Sequence, residues 1–173
     1  MAKYIAPGAR VQNLDFAKAW EHLEDRERNY AYWMSKASWA GAKMVFHQIS
    51  YESPIIFIFL QSYFQGKNFN ALEKACIEAT KDIEAEKLLT EQTGLTVWQR
   101  FMAYSAGFYG NMSNYHSFGA MKFIPQMEEA TFEIVLRSYR FEQKETDECH
   151  RQKLDDHYES IKKEIFCVEK PYT

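Results

Sequence analysis

Five histidines, His22, His47, His116, His150 and His157, are the natural first place to look for catalytic or metal chemistry in this 173-residue chain. A peptidase-type zinc helix needs two imidazoles one turn apart, written HExxH or HExxxH, so that both reach one ion. Neither pattern occurs. Only His150 and His157 share an expected helix, and seven residues separate them. That spacing is roughly 10 Å along a helix axis, too far for one zinc ion with ligands at about 2 Å. Asp147 and His150 can share a face, but two weak ligands do not make a site, and solvated surface residues are the simpler reading. No GxSxG nucleophile elbow is present. Gly66-Lys67-Asn68 lacks the upstream glycine and the Ser or Thr of a phosphate loop, and Gly107 with Gly110 is not a dinucleotide fingerprint. The cysteines, Cys76, Cys149 and Cys167, are odd in number and widely spaced. They suit neither a disulfide framework nor a metal knuckle and fit reduced thiols. The residues by themselves imply no cofactor and no catalytic group.

The elements that would carry any site are mostly helices. Prolines occur only at positions 7, 54, 125 and 171, leaving two long blocks free of them. Tyr30, Trp33, Met34, Ala37, Gly41, Met44, Val45 and Gln48 recur at three- and four-residue steps and predict a helix over 26–48. Its small middle, Ser35 to Ala42, would admit a close neighbour. Trp33 and Trp39 are read as helix-packing residues. Ser53-Pro54 opens a second helix, with Ser as cap and Pro at a position that needs no N–H. The apolar run Ile55–Leu60 makes it central, a buried strand being the rival reading, and Gly66 is a suitable stop. A third helix is expected from Asn70, with Leu72, Ala75, Cys76 and Ala79 on one face. A short helix over 82–92 ends at Gly94. Thr96 with Gln99 fits a capping box, followed by the stripe Trp98, Phe101, Met102, Ser105, Phe108 and Tyr109. From Gly110 to Pro125 turn formers alternate with aromatics, which predicts an ordered loop. Residues 131–139 are expected to be helical. A long surface helix is expected over 142–166, with Leu154, Tyr158, Ile161 and Ile165 along one side.

Composition narrows the class. Lys plus Arg number 21 against 24 Asp plus Glu, a net charge of −3 that argues against a nucleic-acid partner. Apolar residues at 46% and charged residues at 26% suit a globular chain rather than a disordered one. The longest wholly apolar run is six residues, whereas a membrane span needs about 20. No secretory h-region is visible near Met1. The expectation is a cytoplasmic, membrane-free, all-α (mainly helical) protein, with 1–173 as a single helical domain or subdomain.

The run YSAGFYGNMSNYHSFGAMKFIP from Tyr104 to Pro125 closely resembles a segment of the dipeptidyl peptidase III family, Y-x-A-G-x-Y-x-N-M-x-N-Y-x-S-F-G-D-x-K-F-x-P. Two further segments agree in order: RNYAYWMSKASWAG from Arg28 to Gly41 resembles the family's first long helix, and Ser53-Pro54 with Ile56, Phe57 and Leu60 resembles its second. The likeness spans most of the chain and is weakest after about Thr131. It implies the N-terminal, lower-lobe part of a larger two-lobed zinc exopeptidase that removes dipeptides from the N-terminus of oligopeptides. The chain would then be truncated at its C-terminus. The zinc helix of that family, HExxxH with a further Glu, lies downstream and has no counterpart in these residues. The expected partners are an oligopeptide substrate and the remainder of the polypeptide, including the second lobe. If that remainder covers the Leu154–Ile165 stripe, the isolated chain should expose it and self-associate.

The resemblance also implies a site. Asn114, Tyr115, Ser117, Phe118 and Gly119 fall where the family loop faces the inter-lobe cleft, with Phe118 lining a substrate subsite. An aromatic there offers apolar contact, and Gly119 allows close backbone approach. The bland reading is that Tyr115 and Phe118 plug the core and that Asn111 and Asn114 form turns. Ala120 replaces the usual family Asp. The competing function is a stand-alone helical module that binds peptides or a protein without catalysis.

Overall fold

A computed structural model of the chain describes residues 4–5, 15–66, 68–116, 121–138 and 148–168. Within these residues the chain is mainly α, with eight helices and one small hairpin. A short helix, α1 (Ala17–Glu21), precedes the long α2 (Asp25–Ile49). The Glu24 N–H donates to Glu27 Oε2 at 2.9 Å, closing the first turn of α2. Arg28 then reaches back to the carbonyls of Trp20 and Glu21, occupying acceptors left over at the end of α1.

Helix α3 (Ser53–Phe64) begins at the expected place but is capped differently. Glu52 holds the cap position, Ser53 and Pro54 are its first helical residues, and the Ser53 N–H donates to Ser50 Oγ at 3.1 Å. The chain leaves α3 through Gly66 at φ +68°, a left-handed turn that side chains resist. Helix α4 (Phe69–Thr80) starts one residue before the expected Asn70, because Asn68 Oδ1 accepts from the Asn70 N–H at 3.0 Å. Helix α5 (Glu84–Thr93) stops at Gly94, φ +70°. Helix α6 (Val97–Asn111) carries the expected capping box: Thr96 Oγ1 accepts from Gln99 N and Gln99 Oε1 from Thr96 N. It runs past Gly110 and ends at Met112, whose φ is +54°.

The stretch expected to be loop contains an antiparallel hairpin. Strand β1 (Tyr115–His116) pairs with β2 (Met121–Lys122) in the register Tyr115 to Lys122 and His116 to Met121. Residues 117–120, including Ser117, Phe118 and Gly119 of the expected site, lie outside the described residues. Helices α7 (Glu129–Ser138) and α8 (Glu148–Phe166) complete the order. The side chains of Cys149, His150 and Leu154 are also outside what is described.

The core is one aromatic-rich cluster. Phe59, Leu60 and Tyr63 of α3 meet Leu72 and Cys76 of α4, Phe101, Tyr104 and Phe108 of α6, Phe132 and Val135 of α7, and Tyr158, Ile161 and Ile165 of α8. Ring pairs cross edge to face, as aromatic quadrupoles prefer: Tyr63 with Phe101 at 5.2 Å, Phe101 with Phe132 at 5.7 Å, Tyr104 with Phe123 at 5.8 Å. Burial of Cys76 pushes its thiol up to about 12.

Two packing expectations fail. The α8 stripe is internal: Tyr158, Ile161 and Ile165 are buried, with α3 as the neighbour helix. Those three residues therefore leave nothing for a missing partner to cover. The reverse holds for α2, where Trp33 and Trp39 are exposed rather than packed and the helix touches its neighbour α3 near its end, through Phe46. Periodicity marks an apolar face; it does not say which face the rest of the chain reaches.

Candidate functional site

Around the base of the hairpin the chain gathers its most deeply buried polar groups. Glu52, at the head of α3, is fully buried. Its Oε1 lies 2.7 Å from the ammonium of Lys122 on β2 and accepts from Asn114 Nδ2 at 3.4 Å. Lys122 also donates to the Glu164 carbonyl in the last turn of α8 and sits 5.6 Å from the centre of the Tyr115 ring. A cation at a helix C-terminus and over an aromatic face is favourably placed on both counts. One ammonium thus ties together the start of α3, both strands and the end of α8.

The carboxylate shows the balance of forces. Burial alone would raise its pKa; the hydrogen bond from Lys122, a backbone hydrogen bond, the Lys122 charge and Ser50 together outweigh that and hold Glu52 below the ordinary carboxylate value. Beside it, the Tyr104 hydroxyl is pushed upward, by burial first and by the Glu52 charge second. Glu52 Oε2, Asn114 Oδ1 and the Tyr104 hydroxyl have no hydrogen-bond partner among the described residues.

The backbone of the approach is fixed locally. Asn111 Nδ2 donates to the Gly107 carbonyl at 2.8 Å. Ser113 Oγ accepts from the Tyr115 N–H at 3.1 Å, a side-chain turn of the kind Ser favours. The Phe123 N–H donates to the Asn114 carbonyl at 2.9 Å, extending the ladder past the two-residue strands.

Of the five residues singled out in the sequence, Asn114 and Tyr115 are therefore buried, Asn114 just before the hairpin and Tyr115 on its first strand. Glu52 and Lys122 were not singled out. Each is an ordinary charged residue in sequence, and nothing local signals that Glu52 and Lys122 meet. Chemically the cluster is a brace: its charges are paired and shielded, so it can hold backbone in place but offers no exposed acid, base or nucleophile.

Two other features stand apart from this brace. Arg100 on α6 is buried and bonded to Glu86, with its other arm on the Leu95 carbonyl at 2.6 Å, which fastens α5 to α6. A depression of about 320 Å³ lies between α4, α5 and the start of α6, lined by Ile77, Thr80, Thr90, Thr96 and Val97. Its two lysines, Lys81 and Lys87, are each paired with a glutamate one turn back. Neither feature resembles a reaction centre. Among the described residues no three His, Cys, Asp or Glu side chains come together as a metal site. No helix of the described residues is long and apolar enough to cross a membrane.

Curated relatives share one name. Dipeptidyl peptidase 3 of Homo sapiens is 36% identical over 135 residues, 78% of this chain and 17% of that protein. Dipeptidyl peptidase 3 of Nematostella vectensis is 32% identical over 137 residues, 79% of this chain and 17% of its own length. The protein of that name in Rattus norvegicus is 33% identical over 147 residues, 84% of this chain and 18% of its own length.

This chain is homologous to one part of dipeptidyl peptidase 3.

No protein-family model matches it. The chain spans about a sixth of the length of the dipeptidyl peptidase 3 relatives it matches. The family resemblance seen in the run Tyr104–Pro125 coincides with the end of α6, the hairpin and the Lys122 brace, the part of the fold with the densest polar wiring.

Proposed function

We propose that these 173 residues are one helical subdomain of a zinc-dependent dipeptidyl peptidase that releases dipeptides from the N-terminus of oligopeptides in the cytoplasm. In this reading the chain supplies scaffold and one wall of the substrate cleft. Ser117, Phe118 and Gly119 meet the peptide, and Asn114 and Tyr115 hold the strand behind them. Zinc is supplied from elsewhere. The described side chains offer no converging donor set for it, and the sequence has no HExxxH. The metal therefore does not fit the described residues, and no chemical step is assigned to them.

The observation that carries the reading is the 36% identity over 78% of the chain to a protein named dipeptidyl peptidase 3, of which it covers 17%. The first test is the size of the native polypeptide in its source tissue, by immunoblot with an antibody to this segment. A band several times larger than 20.5 kDa supports the reading. A band at 20.5 kDa overturns it in favour of a stand-alone binding module. The second test adds zinc and a chromogenic dipeptidyl substrate to the 173-residue chain. No turnover is expected, and turnover would show that the chemistry resides in this chain after all.

A further inference from the structure

Helix α2 presents a continuous apolar face that nothing in the described chain covers. Tyr30, Trp33, Met34, Ala37, Gly41 and Met44 fall at three- and four-residue steps and so lie along one side. Tyr30 is 68% exposed, Trp33 66% and Met44 64%, and Met34 is also largely free. Two aromatics exposed to that degree leave on the order of 200 Å² of ring surface in water, given 150–250 Å² per aromatic side chain. Single exposed apolar residues are ordinary; a run of this kind along one helix marks a contact surface.

The helix itself is under-supported without a partner. From Asp25 to Ala40 it contains no buried residue, and a stretch of that length is marginal in water unless an apolar face is packed. Gly41 points the same way. A Cβ built there would meet only Met44 Cε, at 3.9 Å, so no internal contact requires glycine. Glycine in a helix interior is costly, and it serves here only if something outside comes close to the backbone between Trp33 and Met44.

We infer that this face is an interface for an apolar, uncharged polypeptide surface supplied by the part of the family's length that this chain does not span. The inference rests on the peptidase-subdomain reading above and names the surface through which that subdomain joins the rest. The occupant follows from length: the relatives devote about five-sixths of their residues to regions outside the match. The face offers no charge to recruit a charged partner, and its small middle, Ala37 and Gly41 between larger side chains, suits a second helix or strand laid across it.

Hydroxyl-radical footprinting, normalised to a peptide dosimeter, tests this on two samples: the recombinant 173-residue chain and the native polypeptide purified from its source. In the recombinant chain Trp33 and Met44 should react rapidly and independently of protein concentration. In the native polypeptide both should react at least fivefold more slowly. Equal reactivity in the two samples, with a native polypeptide well above 20.5 kDa, overturns the interface and leaves the peptidase reading standing. Protection in the recombinant chain that grows with its concentration overturns the stated occupant in favour of a second copy. A native polypeptide of 20.5 kDa overturns the peptidase reading and the occupant with it.

Discussion

Lys122 is where one atom has the widest structural reach, because its ammonium is the shared partner of Glu52, the end of α8 and the Tyr115 ring. Removing one member of a buried pair strands the other charge, a loss of about 3–5 kcal/mol. Lys122→Met should lower stability by that amount in urea unfolding, whereas the double variant with Glu52→Gln should recover a large part of it. The same pair sets an acid limit. Glu52 has a folded-state pKa below its unfolded value of about 4.3. Its contribution is therefore complete above that value and is lost as pH falls through the lower, folded one. The melting temperature should drop on acidification below about pH 4, with a shallower slope in Glu52→Gln. Tyr104 behaves oppositely. Its buried hydroxyl makes no hydrogen bond among the described residues, so Tyr104→Phe removes an uncompensated polar group and should leave the melting temperature unchanged or raise it.

Helix by helix, the reliability of the sequence follows the range of the forces involved. Thr96 and Gln99 bond each other's backbone within one turn, so the start of α6 was legible from four residues. Thr96→Ala should cost about 1 kcal/mol, measured by urea unfolding. Gly94 ending α5 was legible for the same local reason. At α3 the start was right and the cap wrong, because the Ser50 hydroxyl reaches Ser53 and leaves Glu52 free to turn inward. The hairpin was read as loop: its strands are two residues each, and they are fixed by bonds such as Phe123 to Asn114 that no period-two pattern announces. Of the candidate site, the run Tyr104–Pro125 stood out in the sequence as a segment. Its brace did not, since Glu52 enters from a different helix. Gly41→Ala tests the small middle of α2, which the sequence also showed. With only Met44 Cε near the added Cβ, it should stabilise the isolated chain by about 0.5–1 kcal/mol.

For the molecule as a whole, the split between α2 and the remaining helices means that cooperativity should be uneven. Helices α3, α4, α6, α7 and α8 share one core, whereas most of α2 stands outside it. Hydrogen exchange should therefore show the amides of residues 26–40 opening with little protection, while those of α6 exchange only with global unfolding. Uniform protection across both would contradict that division. Cys76 turns the shared core into a clock. Its thiol is wholly enclosed and its pKa is pushed up to about 12, so an alkylating reagent in neutral buffer can reach a usable thiolate only after the surrounding helices part. The slow phase of labelling then counts openings of the common core. Ile161→Val, which thins that core from α8, should quicken labelling at Cys76 on α4, although the two residues belong to different helices.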